Sequence, residues 1–360
     1  MVTIVRFDPL GGGSRSLAVE HGRWTDDDDG ANEVLDLRGL VAVRGLVDAH
    51  AHLGADGITD LFARVDQPER IRARAFAHLS SGVFLVIDKG HRDDTVLRFA
   101  ADAPPPLPHL SMAGRILHPP GGYYEGWAEE VDPTDLPRAV AEAAAGAAWV
   151  KLVGDWPKPG VGPTPNWSPD DLAVAVAVAH EAGCRVAIHT AAPETPTQAV
   201  AAGVDSIEHG LFLDGDDLAA LGARGGIWVP TLHAMAAVRD GLRPGSSGER
   251  LLADGLDNAA ARLTEARDAG VTVLCGTDLS LPHGDVAVEA LTLVRAGLSP
   301  ERAVEAVAIA GWAMAGLAAV PEVGDPADLV AFAANPTEHP DTLLHPVFAM
   351  RGGEVLVDRR

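Results

Sequence analysis

The amino-acid sequence predicts an α/β fold: a (β/α)8 TIM barrel carrying a small β-sandwich domain formed from both chain ends. Three observations carry that prediction. Beyond Gly45, short apolar runs alternate with helical stretches, and eight such runs fall between Val43 and Asp278, the count and size of an eight-fold barrel. The runs are apolar on both faces, as in parallel strands covered by helices. Both chain ends, by contrast, break into short β-like runs at Gly11-Gly12-Gly13, at the acidic turn from Asp26 to Gly30 and after Gly324. Residues 1–44 and 322–360 are assigned to the sandwich, as small antiparallel strands, and residues 45–321 to the barrel.

The elements follow in order. The apolar run Leu40–Val47 leads into the first barrel strand, which ends in Asp48-Ala49-His50-Ala51-His52. Val83–Ile87 is the second strand, ending in Asp88, and Leu107–Ile116 the third. A helix over Leu136–Ala145 precedes a fourth strand, Ala148–Leu152. Pro169–Ala182 is helical, with Ser168 as N-cap, proline at the first helical position and Gly183 beyond the end. Arg185–His189 is the fifth strand, Val204–His209 the sixth, Gly226–Pro230 the seventh and Val271–Asp278 the eighth. Helices over Thr197–Ala202, Asp216–Gly222 and Gly248–Ala269 lie between them, and helices Val286–Ala296 and Ser299–Leu317 follow.

Composition excludes several function classes. The 360 residues, 47% hydrophobic and 22% charged, are those of a globular chain long enough for one large core and a small appendage. A net charge of −23 repels nucleic acid phosphates and anionic membranes, so neither is an expected partner; the expected partner, a small-molecule substrate, rests on the residues at the strand ends. The two cysteines, Cys184 and Cys275, fall in apolar strands and read as core residues of a reducing compartment. With no signal-peptide pattern at Met1–Leu10 and no apolar run of membrane-spanning length, a cytoplasmic location is expected. Oligomeric state has no signature here, and a homo-oligomer stays open.

In a barrel of this kind the chemistry sits at the C-terminal ends of the strands. Those ends carry His50 and His52, Lys151, His189, His209 and Asp278. Residues two apart on a strand share a face, so His50 and His52 can aim both imidazoles at one ion. Buried charges and imidazoles are costly unless paired or bound to metal, so this set is hard to attribute to packing.

At this point the chain resembles the amidohydrolase superfamily. The motifs are Gly45-Leu-Val-Asp-Ala-His-Ala-His-Leu53, Val150-Lys-Leu-Val153, Ala187-Ile-His-Thr190, Ser206-Ile-Glu-His-Gly210, Gly276-Thr-Asp278 and the closing Gly324-Asp-Pro-Ala-Asp-Leu-Val330. The resemblance implies a binuclear metal site: His50, His52 and Asp278 on the more buried ion, His189 and His209 on the other, and Lys151, carboxylated by CO2, bridging them. Lys151 points to the prolidase-like and carboxypeptidase-like subgroup, which acts on dipeptides or N-acyl amino acids. The implied activity is hydrolysis of amide C–N bonds by a metal-bridging hydroxide, with Asp278 as the catalytic proton carrier. The ligand set suits zinc, with manganese, iron and cobalt open. A desolvated lysine loses its proton readily, and the neutral amine can take up CO2 as an anionic carbamate. Arg44 departs from the family pattern, standing where many relatives have proline before Gly45.

Two other activities remain open on sequence alone. A mononuclear deaminase or cyclic-amide hydrolase of the imidazolonepropionase type also carries His-x-His and the last-strand aspartate. A lactonase or phosphotriesterase shares the carboxylated lysine. Substrate contacts are expected from His233 after strand seven, from His283 after strand eight, and from Tyr123 and Tyr124 beside two glycines after strand three. Asp88 is read as a backbone hydrogen-bond acceptor and Arg115 as a salt-bridge member. Glu208 is read as pointing away from the site, because it neighbours His209 on a strand, and as a structural ion-pair member.

Overall fold

A computed structural model describes residues 2–57, 60, 67–158 and 160–360. Four strands come first: β1 (Thr3–Pro9), β2 (Arg15–Glu20), β3 (Arg23–Thr25) and β4 (Glu33–Val43). The barrel strands follow as β5 (Leu46–Ala51), β6 (Val83–Asp88) and β7 (His109–His118), with a two-residue strand β8 (Glu129–Glu130) beside β7, then β9 (Trp149–Val153). A hairpin, β10 (Asp155–Lys158) with β11 (Gly162–Pro165), precedes β12 (Arg185–Thr190), β13 (Ser206–His209), β14 (Ile227–Val229) and β15 (Thr272–Val273). Three strands close the chain: β16 (Leu329–Phe332), β17 (Phe348–Arg351) and β18 (Glu354–Asp358).

The eight barrel strands run parallel in the order β5-β6-β7-β9-β12-β13-β14-β15. Backbone bonds from Ala49 N to Cys275 O and from Asp278 N to His50 O, each 2.8 Å, join the first strand to the segment after the last and close the ring. Ala49, Ile87, Ala113, Trp149, Ala187, Ile227, Val229 and Leu274 fill the interior. Alternate residues such as Phe84, Val86, Leu152, Ile207 and Trp228 pack outward against the helices. Of those helices, α1 (Pro68–Ser80), α2 (Thr95–Asp102), α3 (Leu136–Ala143), α4 (Pro169–Glu181), α5 (Thr195–Ala201) and α6 (Gly215–Ala223) each follow a strand, while α7 (Leu232–Gly241) and α8 (Ser247–Asp268) both follow β14. At the start of α4, Ser168 and Asp171 cap each other's backbone N–H groups, so the N-cap works in both directions.

The chain ends form one seven-stranded sheet, β18-β17-β16-β4-β1-β2-β3. The pairing of β1 with β4 is parallel, unlike the antiparallel pairing expected, because the β2–β3 excursion brings the chain back alongside β1 in the same direction. The run Leu40–Val47 is therefore split. Its first half belongs to this sheet and its second to the barrel, with Arg44-Gly45 as the corner. Arg44 is fully buried there: it pairs with Asp325, donates to the Ala318 carbonyl and lies 5.5 Å over the Trp312 ring.

Two further differences have physical causes. After α9 (Val286–Arg295), the helix expected over Ser299–Leu317 breaks into α10 (Pro300–Val304), a π turn at Glu305–Ile309 and a 3-10 segment at Ala310–Ala315. The wide turn frees the Ala306 carbonyl to accept from Cys275 N at 3.4 Å, and Gly311 sits where a Cβ would meet Val47 at 2.6 Å. Strand eight is regular only at Thr272–Val273, and the chain then runs irregularly to Asp278.

The sheet is tied to the barrel by Asp328, which is fully buried between His109 Nε2 (2.8 Å), an Arg351 guanidinium nitrogen (2.7 Å) and Gly352 N (2.9 Å). Asp328→Ala strands these donors, and a loss of roughly 3–5 kcal/mol is expected in denaturant unfolding; a change near zero counts against the junction as a source of stability.

Candidate metal centre

The site forms where the barrel strands end. Gly276 lets the last segment lie against the first strand, since a Cβ there would meet His50 Cβ at 2.5 Å and His50 N at 2.9 Å. Asp278 then reaches across: its Oδ1 lies 3.3 Å from His50 Nε2 and 3.4 Å from His52 Nε2, and its Oδ2 lies 3.9 Å from His209 Nε2. Ligand atoms of His50, His52 and Asp278 fall within 4.8 Å of one another, a grouping able to hold a metal ion. His209 Nε2 faces His189 Nδ1 at 2.8 Å.

Each ring is oriented from behind. His52 Nδ1 donates to the Gly90 carbonyl at 2.7 Å, leaving the Nε2 lone pair for the site. His209 Nδ1 lies 2.6 Å from Thr231 Oγ1. The backbone bends to make this possible. His209, Thr231, Asp278 and Leu279 have φ of 63°, 46°, 43° and 57°, all left-handed and none of them glycine. On β13, Ser206 and Glu208 face the barrel interior, and Ile207 packs outward. Regular alternation would send His209 outward as well; its left-handed turn brings the ring to the mouth instead.

Glu208 is consequently not directed away from the site, and that expectation is corrected. It is fully buried inside the barrel. Its Oε1 accepts from Lys89 Nζ at 2.9 Å and from Ser206 Oγ at 2.6 Å. Its Oε2 lies 2.7 Å from His50 Nδ1, close but short of full hydrogen-bond alignment. Burial opposes its charge, but Lys89 and the neighbouring His50 and Lys151 more than offset this, holding the carboxyl well below the usual range. Lys89, buried with its ammonium 4.3 Å from the Trp149 ring centre, was not singled out in the sequence. Its position directly after Asp88, at the end of strand two, is the signal that could have found it.

Lys151 is buried, and its Nζ has no hydrogen-bond partner among the described residues. Burial, followed by the like charge of Lys89, lowers its pKa to about 8. Burial also pushes His50 down to about 3 and His209 to about 4, and lowers His189 well below its ordinary value. Burial works against the charge of Asp278 too, but the surrounding imidazoles, His50 first, outweigh it and keep the carboxylate ionised. Neutral imidazoles, an ionised carboxylate and an orphaned buried amine make a donor set that fits divalent cations. Protons therefore compete for His50 and His209 only below about pH 4, so protein loaded with metal is expected to keep at least one ion per chain after dialysis at about pH 5. Complete loss near pH 6 counts against these ligands.

Four buried carboxylates hold the strand ends in place by accepting backbone N–H groups. Asp48 takes those of His50 and Thr277, both at 3.2 Å. Asp88 takes Leu53 (2.6 Å) and Gly90 (2.8 Å), the backbone role expected for it. Asp155 takes Ala191 and Ala192, both at 2.9 Å. Glu289 takes Leu232 (2.7 Å) and His233 (2.9 Å). Burial raises the first three to about 6 and Glu289 to about 8.

The expected substrate contacts divide. Tyr123 stands 6.0 Å from the His189 ring and 4.6 Å from Trp156, which is also 4.6 Å from Tyr124; the three rings form a wall beside the histidines. Asn166 pins this wall by donating to the carbonyls of Gly122 (2.9 Å) and Val153 (3.0 Å). His233 begins α7. His283 is engaged with other partners, with Nε2 donating to the Ala55 carbonyl at 2.8 Å and Nδ1 3.2 Å from His78 Nε2. It lines a cavity of about 540 Å³ with Asp56, Arg70, Arg74 and Leu279. Arg115 bridges Asp94 and Glu129 as a salt-bridge residue.

Comparison with known proteins agrees with this architecture. The chain is 35% identical over 329 residues to an uncharacterized protein of Mycobacterium tuberculosis, covering 88% of this chain and 85% of that protein. Among solved structures, a Xaa-Pro dipeptidase with bound methionine in the active site superposes with a TM-score of 0.83 at 20% identity, covering 99% of both chains. A prolidase complexed with n-methylphosphonate-L-proline superposes at 0.80 with 22% identity, covering all of both chains. An ochratoxinase from A. niger gives 0.80 at 20% identity, covering 99% of this chain and 96% of that one. No helix among the described residues is long and apolar enough to cross a membrane. The profile of the amidohydrolase family matches residues 41–357, and the chain belongs to that family of hydrolases.

Proposed function

We propose that this protein hydrolyses amide C–N bonds in dipeptides or N-acyl amino acids at a two-metal centre. The observation that carries the reading is the convergence of His50, His52, His189, His209 and Asp278 around a buried Lys151 whose Nζ has no partner among the described residues. His50, His52 and Asp278 would hold one divalent ion, taken to be zinc, and His189 with His209 the second. Lys151, as the carbamate, would join them. Bound there, the ions would acidify a water molecule and polarise the scissile carbonyl.

The rest is the work of the chain's own groups. Asp278 takes a proton from the attacking water on a carboxylate oxygen and returns it to the leaving nitrogen. Gly90 and Thr231 fix the tautomers of His52 and His209. Tyr123, Tyr124 and Trp156 shield the His189 side from bulk water and bound the substrate.

The test is hydrolysis of a panel of dipeptides and N-acyl amino acids by metal-loaded, bicarbonate-treated protein, with lactones, phosphotriesters and cyclic amides alongside. Amide turnover with about two ions per chain is expected. Turnover confined to lactones or phosphotriesters, or to cyclic amides with one ion, replaces the proposal with that activity.

A further inference from the structure

The four-residue network beneath His50 does more than fill the barrel. We infer that Glu208 is a positioning residue: it fixes the tautomer of His50 and so sets the metal affinity of the site, with Lys89 and Ser206 dictating which way Glu208 presents itself. The inference rests on the proposal that His50 ligates a divalent ion.

The geometry divides the carboxylate into two halves. Oε1 is occupied by two donors, Lys89 Nζ at 2.9 Å and Ser206 Oγ at 2.6 Å. Oε2 is turned to His50 Nδ1 at 2.7 Å, close but short of full hydrogen-bond alignment. His50 Nε2, on the far side of the ring, points to Asp278 at 3.3 Å. An acceptor behind Nδ1 keeps the proton there and leaves the lone pair on Nε2, where a metal needs it. Lys89 is itself pinned, by Glu208 and by the face of Trp149. The network spans the ends of β6 and β13 and the start of β9, so three strands agree on the state of one imidazole on β5.

This arrangement makes a specific prediction for Glu208→Gln, which preserves shape and removes charge. The ammonium of Lys89 demands an acceptor, so the amide oxygen must take the Oε1 position and the NH2 group must face His50 Nδ1. A donor there forces the proton onto Nε2 and removes the ligand lone pair. Removing Lys89 lifts the constraint: in Lys89→Met with Glu208→Gln the amide can turn over, Ser206 Oγ can accept from its NH2 group, and the oxygen can face Nδ1 again.

The experiment measures zinc affinity by chelator competition on the full-length protein, with the imidazole 15N shifts of His50 as a second readout and thermal unfolding as the fold control. Glu208→Gln is expected to weaken the tighter ion by about 10–100-fold and to move the His50 proton to Nε2. The double variant is expected to recover most of that affinity. Unchanged affinity in Glu208→Gln, or a lowered melting temperature with His50 still protonated at Nδ1, overturns the inference and assigns Glu208 a structural role only. A double variant no better than the single one removes Lys89 and Ser206 from it. Failure of the wild-type protein to bind zinc at all refutes the metal-centre proposal, a different outcome from any of these.

Discussion

Lys151→Ala is expected to bind about one divalent ion per chain in place of about two, and to lose more than about 100-fold in turnover. The reasoning starts from burial. Lys151 is 3% exposed, its amine has no partner among the described residues, and its pKa is lowered to about 8 by burial and by Lys89. A cationic lysine in that place would repel two divalent ions, whereas a carbamate would join them. Alanine leaves a gap that a small carboxylate can enter, so acetate or propionate should restore part of the lost rate, which simple damage to the fold would not allow. Metal content by elemental analysis, with turnover followed in bicarbonate, decides it. Two ions and an undiminished rate in the variant would show that Lys151 neither bridges nor matters.

Asp278→Asn is expected to keep the fold and lose on the order of 10²–10⁴-fold in kcat, because the amide can neither accept the proton from water nor return it. The fold should survive. The backbone N–H of residue 278 still donates to His50 O at 2.8 Å, and the segment is also held by the hydrogen bonds of Thr277 to Asp48. Circular dichroism and melting temperature report the fold, and turnover reports the proton transfer. Wild-type turnover in the variant would take the proton-carrying role away from Asp278.

Much of the architecture could be read in advance because the signals repeat. The alternation of strand and helix, the capped start of α4 and the His-x-His at the end of the first strand follow from periods of two and 3.6 residues. What could not be read lies where a period breaks. Glu208 looked outward because alternation from His209 says so, but Glu208 faces inward by regular alternation with Ser206, and it is the left-handed turn at His209 that brings the histidine to the mouth as well. Lys89 was hidden because a lysine after a strand is ordinary on a surface, and its burial depends on partners 60 and 119 residues further along, Trp149 and Glu208. The β10–β11 hairpin was unmarked because its prolines, Pro157, Pro163 and Pro165, suppress the usual strand pattern. His283 lies within reach of the mouth in sequence, yet the chain after Asp278 turns back to Ala55 and His78.

The left-handed residues at the mouth carry a consequence for how this protein could be improved. Each non-glycine residue held in that region costs about 1–3 kcal/mol. The four here, His209, Thr231, Asp278 and Leu279, together forfeit a sum comparable with the whole stability of an ordinary domain. Selection for heat resistance alone would therefore find its easiest gains at these positions, by substituting glycine or asparagine. At 209 and 278 those gains would be made at the expense of side chains assigned to the proposed metal centre. A thermostabilised form worth keeping would have to come from screens that score turnover with every round, and its useful substitutions should gather in the helices and the seven-stranded sheet, far from the bent ends of the strands.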